Sequence, residues 1–151
     1  MNHNTKHARN VLLVRGATLW LLMALILAWC LVFLKFEIPL FMMIFPGKFT
    51  RVLQAHLDFL LMSALLFGFY AAKVSLLWHV RWAMVVGAFT NSSLFLMQAI
   101  FPVLDSPVPI EGVFPATFRV YLMMSIVLTS YRFGSAAVLV FLSTFERASS
   151  G

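Results

Sequence analysis

Four long apolar runs, each fenced by charges or prolines, constrain this chain more than anything else in it. The first, 17–34, carries no charge and is bracketed by Arg15 and Lys35. The others cover about 49–73, 82–101 and 117–145. A helix needs about 20 mostly apolar residues to cross a bilayer, so each run is long enough to span. Composition points the same way. The chain is 62% hydrophobic and 11% charged, whereas a soluble domain carries about 25% charged residues. That excludes a disordered segment and a nucleic-acid-binding domain. The single cysteine, Cys30, rules out a disulfide-stapled module. The expected fold is all-α: one membrane domain over 1–151, built as a four-helix transmembrane bundle (17–35, 49–73, 82–101, 117–145) in a lipid bilayer.

The connections follow from the helix breakers. The basic stretch Lys6, Arg9, Arg15 resembles the opening of a signal peptide, but the apolar run after it exceeds a secretory h-region and no small-x-small cleavage site closes it. It reads as a retained helix. Pro39, Pro46 and Gly47 mark the first connection, with the apolar stretch 40–45 at the membrane interface. Trp78, His79, Arg81 and Trp82 form an interfacial belt ahead of the third span. Pro102, Asp105, Pro107, Pro109, Gly112 and Pro115 make a rigid loop that cannot be helical throughout, and Thr117 is the expected N-cap of the fourth helix. An even number of spans puts both ends on one side. Lys6, Arg9, Arg15, Lys73, Arg81 and Arg147 gather there, against Lys35, Lys48, Arg51 and Arg119 opposite. The positive-inside bias makes cytoplasmic termini in a bacterial inner membrane the expected placement.

Ionisable and polar residues within the spans are the candidate functional groups, because burying them in hydrocarbon is costly. His56, in the first half of the second run, falls below the interface and short of the midplane. A neutral imidazole there can offer one ring nitrogen to a metal while the other holds a carbonyl or carboxylate. The alternative is a core histidine bonded to a neighbouring helix. Asp58 points to another face of the same helix, about 200° away, where Arg132 is a natural counter-ion. Arg132 sits near the middle of 118–145 and reads as a salt-bridge partner of Asp58, a clamp on a cofactor carboxylate, or a snorkelling side chain. Asn91, Ser92, Ser93 and Gln98 form a polar knot in the third run, of the kind that hydrogen-bonds between helices. No Cys pair, His-x-x-His, phosphate loop or Ser-His-Asp set is present. A lone membrane histidine does suffice for haem, which one axial imidazole can hold.

The segment Arg51-Val52-Leu53-Gln54-Ala55-His56-Leu57-Asp58, opening the second of four short spans, resembles the styrene oxide isomerase and hydroxylaminobenzene mutase family of small membrane isomerases. So does Gly87-Ala88-Phe89-Thr90-Asn91-Ser92-Ser93-Leu94-Phe95 in the third span. The resemblance implies haem b held axially by His56, with ferric iron as a Lewis acid for redox-neutral rearrangement of a small apolar substrate. It also implies a homotrimer with the cofactor near subunit boundaries. Arg132 and Asp58 are then candidate cofactor-binding residues, and Asn91, Phe95 and Tyr131 candidate catalytic positions. Two departures stand out. Met62 occupies the place of a family asparagine, and Phe95 that of a substrate-orienting tyrosine. The alternative function is a non-catalytic accessory subunit or small transporter whose His56, Asp58 and Arg132 form a structural network.

Overall fold

The computed structural model describes residues 11–73, 76–106 and 111–148; Lys6, Arg9, Pro107 and Pro109 lie outside them. Five α-helices follow one another: α1 Val11–Lys35, α2 Pro39–Ile44, α3 Phe49–Ala71, α4 Trp78–Ile100 and α5 Val113–Ala148, with a 3-10 turn at Pro102–Asp105. Helices α1, α3, α4 and α5 are each long and apolar enough to cross a membrane. Among the described residues there is no strand. The chain is an all-α, four-helix integral membrane bundle, as the hydropathy pattern requires: a helix satisfies every backbone donor and acceptor within its own segment.

The span boundaries differ from the sequence expectation at several ends, each for a local reason. α1 begins at Val11 rather than residue 17, taking Arg15 and Gly16 into the helix. α3 stops at Ala71 because Lys73 turns into the left-handed region at φ 56. α4 begins at Trp78, so the expected Trp–Arg belt is the first turn of the span itself, with Trp78 and Trp82 exposed. α5 begins at Val113, which overturns Thr117 as N-cap. The Thr117 hydroxyl instead donates back to the Val113 carbonyl at 2.9 Å. Pro115 lies in the first turn, where its missing N–H goes unused. At the end of α1, Glu37 takes φ 53 while Ile38 N–H reaches Phe33 O at 3.1 Å and Glu37 N–H reaches Leu34 O at 3.0 Å. That is the Schellman stop, executed by a non-glycine.

Small residues set the register of the bundle. Buried positions on α3 step by three and four through Val52, Ala55, Phe59, Met62, Ser63 and Leu66, a heptad-like seam. Against it α1 buries Leu13, Gly16, Ala17, Ala24 and Leu27. Small side chains matter here because, in lipid, helices associate through close packing and hydrogen bonds rather than the hydrophobic effect. A Cβ on Gly16 would lie 2.6 Å from a Val85 methyl carbon on α4, so only glycine permits that approach. α5 packs mainly on α4 and leaves much of its surface to lipid.

The link between α2 and α3 folds back onto α4. Gly47 N–H donates to Ala99 O at 2.9 Å, and a Cβ at Gly47 would stand 2.6 Å and 2.7 Å from the Ala99 and Gln98 carbonyl oxygens. Beside it, Arg51 grips the Asp105 carboxylate through Nε at 2.9 Å and through a second guanidinium nitrogen. Lys48 adds an ion pair at 2.8 Å. This charged latch ties the start of α3 to the far end of α4. The Arg51 hydrogen bond, seconded by Lys48, holds the Asp105 carboxyl below its ordinary range.

Candidate functional site

His56 is placed by the α1–α3 seam. Its Nδ1 lies 2.8 Å from the Ala24 carbonyl oxygen, and one heptad further along, Ser63 Oγ donates to Ala17 O at 2.7 Å. The two contacts are equivalent steps of one antiparallel register. A carbonyl can only accept, so Nδ1 carries the ring proton and the lone pair is left on Nε2. Among the described residues no hydrogen bond to Nε2 is made. The ring is half-buried, and Leu53, Leu57 and Leu60 on its own helix are exposed apolar neighbours. Ala24 is near the middle of Val11–Lys35, so His56, the eighth residue of α3, is level with the middle of α1, because the fold-back at Gly47 starts α3 inside the end of α1.

Asp58 belongs to a different cluster. Its Oδ2 accepts from Asn91 Nδ2 at 2.8 Å and from Ser92 Oγ at 2.8 Å, both on α4. The Ser92 hydroxyl also lies 3.0 Å from Ala88 O, so its one proton has two acceptors within reach. The expected Asp58–Arg132 ion pair is not formed. The α4–α5 register explains why. Thr129 Oγ1 donates to Gly87 O at 3.0 Å, so Arg132, three residues on, is level with Met84, well below Asn91. Since Val85 meets Gly16, that level is also the level of Arg15, six residues inside the Trp78 end of α4. Arg132 is therefore about 13 Å along the bundle axis from His56 at 1.5 Å per residue, on a helix that packs against α4.

The three candidate catalytic positions have different surroundings. Asn91 has its amide nitrogen on Asp58. Phe95 packs, half-buried, beside the cluster that contains Ala24, Ala55 and Phe59. Tyr131 is 64% exposed and lies under the Arg132 guanidinium at 5.1 Å, at the far level. Met62, in the place of the family asparagine, is buried in the core shared with Leu13 and Leu66.

Sequence reading missed a second polar seam, between α4 and α5. Tyr121 OH and Ser93 Oγ are 2.7 Å apart, Ser125 Oγ donates to Thr90 Oγ1 at 3.0 Å, and Thr129 to Gly87 completes the row. Tyr121, Ser125 and Thr129 recur every four residues, which was the available signal. A cleft of about 270 Å³ lined by Met97, Phe114, Thr117, Phe118 and Tyr121 opens at the loop end of this seam, away from His56. The Trp20 indole, donating to Val85 O at 3.1 Å, ties α1 to α4. Among the described residues no group of three or more His, Cys, Asp or Glu side chains could hold a metal ion. Comparison of the chain with protein-family models, curated proteins and solved structures returned no match.

Proposed function

We propose that this integral membrane protein binds haem b through His56 Nε2. One observation carries the reading. The Ala24 carbonyl fixes the tautomer and orientation of the ring, leaving a directed lone pair level with the middle of α1 among apolar side chains. An axial imidazole needs this arrangement, in which the far nitrogen is anchored on a carbonyl so that the near one is held in place and made more basic. Leu53, Leu57 and Leu60, exposed beside His56, would offer an apolar surface to a haem held by that residue.

Bound there, ferric haem supplies a Lewis acid towards a small apolar substrate bearing a lone pair. What the chain itself contributes is ligation, orientation and exclusion of water. Haem binding is better supported than isomerisation, because Asn91 is engaged by Asp58, Phe95 has no polar group and Tyr131 stands at another level. The placement of the termini on the cytoplasmic side of a bacterial inner membrane belongs to the same proposal and rests on the Lys and Arg distribution.

A second reading has its own observation. His56 repeats the geometry of Ser63 one heptad away, and Asp58 has both its partners inside the bundle. On that reading these groups only lock helices together in a non-catalytic membrane module. Absorption spectra decide between them. Protein purified in detergent after expression with ample haem should show a Soret band that His56→Ala removes and Ser63→Ala keeps. A colourless wild type that also fails to bind added hemin would establish the structural module instead.

A further inference from the structure

The sequence has five acidic residues, and each sits at another level of the bundle from Arg132. Asp58 is engaged by Asn91 and Ser92 at another level. Asp105 is held by Arg51 and Lys48 at the opposite end of the bundle, where Glu37 and Glu111 also lie. Glu146 is about 21 Å farther along α5 at 1.5 Å per residue. Yet Arg132 Nε is buried without a hydrogen-bond partner, and the guanidinium carbon stands 5.1 Å from the centre of the Tyr131 ring. Nε is thus buried and unpartnered on a side chain that is otherwise partly exposed, and such a donor calls for an acceptor.

Its level supplies one. Arg132 stands level with Arg15, and Arg81 lies about one turn nearer the end of α4. Trp78 and Trp82 are exposed in that same stretch. Lys73 adds a further cation at this end. Tryptophans and arginines sharing one depth mark the headgroup boundary of a bilayer. There a snorkelling arginine meets lipid phosphate, which a planar guanidinium binds through two parallel N–H donors. We propose that Arg132 anchors the phosphodiester of an anionic phospholipid in the leaflet on the side of the termini, seated against α5 beside Tyr131.

Native mass spectrometry of the full chain, released from nanodiscs of phosphatidylcholine mixed with phosphatidylglycerol, tests this. The wild type should retain phosphatidylglycerol over phosphatidylcholine. Arg132→Gln should lower that retention about fivefold, the weight of one interfacial cation near anionic lipid. Arg132→Lys should keep most of it. Retention in Arg132→Gln equal to the wild type overturns the proposal. So does equal retention of the two lipids by the wild type itself, a result that needs no variant to fold. Addition of inorganic phosphate separates the two sources of the anion. Displacement of phosphatidylglycerol by free phosphate at low millimolar levels would make this a soluble-anion site and refute the lipid assignment.

Discussion

Because His56 and Ser63 make equivalent contacts one heptad apart, they can be used to calibrate each other. Each donates one hydrogen bond to an α1 carbonyl, at 2.8 Å and 2.7 Å respectively. Interhelical hydrogen bonds in membrane proteins average about 0.6 kcal/mol and reach about 1.7 kcal/mol. Ser63→Ala should therefore destabilise by about 0.6–1.7 kcal/mol, and His56→Ala by a similar amount plus the packing of a half-buried ring. Without haem the two variants should differ by little more than that packing. With hemin at a hundred times its dissociation constant, a ligand that binds only the folded state adds about 2.7 kcal/mol. The wild type and Ser63→Ala should both gain it; His56→Ala should gain nothing. Unfolding in mixed micelles with increasing dodecyl sulfate, read by tryptophan fluorescence with and without hemin, measures all six values. Equal hemin stabilisation of His56→Ala and wild type would refute ligation through this ring.

Glycine substitutions should separate the close approaches from the idle positions. Gly47→Ala places a carbon against two backbone oxygens and breaks the bond to Ala99; overpacking and the lost hydrogen bond together cost about 2–4 kcal/mol. Gly68→Ala, with nothing within 4 Å of its Cβ, should instead stabilise α3 by about 0.5–1 kcal/mol, and micelle unfolding that ranks the two the other way would contradict the packing described. Asp105 is held below its usual range by Arg51 first and Lys48 second. Its contribution is therefore fully present above the unfolded carboxyl range near about 4 and is lost as pH falls through the lower folded value. Acid unfolding curves of the wild type should show that loss and Asp105→Asn should lack it. Asp58→Leu strands the Asn91 amide and should cost about 1–3 kcal/mol, whereas Asp58→Asn keeps an oxygen for Asn91. In an Asp58→Asn, Arg132→Gln double-mutant cycle the coupling should stay within about 0.5 kcal/mol, as for independent sites.

The four spans were legible because their length and apolarity leave no alternative in a chain with so few charges. Their ends were less so. Thr117 carries the residue type of an N-cap, but Gly112 and Pro115 allow α5 to start a turn earlier, and the hydroxyl bonds back along the helix. The residue types of the polar knot were also readable. Asn91 and Ser92 do bond across helices, yet their partner is Asp58, which had been matched with Arg132 on charge alone. Opposite charge is a poor guide when depth is unknown.

Depth, in turn, was hidden in contacts that hydropathy does not encode. Counting along each span places His56 below the interface and short of the midplane and Arg132 near the middle of 118–145; the packed bundle sets His56 level with Ala24 and Arg132 level with Met84. Two features do this. The Gly47 fold-back insets α3, sinking His56 to the level of Ala24. α5 runs 36 residues, far more than the roughly 20 a bilayer requires, and the Gly87–Thr129 contact fixes which part of it stays inside. The residues that set both registers are glycines, alanines, serines and threonines, whose average hydropathy is unremarkable. Their effect comes from where a missing Cβ or a single hydroxyl meets a particular carbonyl. In this chain those small contacts decide the surroundings of the two large groups: a carbonyl partner for the imidazole level with Ala24, and the level of Met84 for the guanidinium.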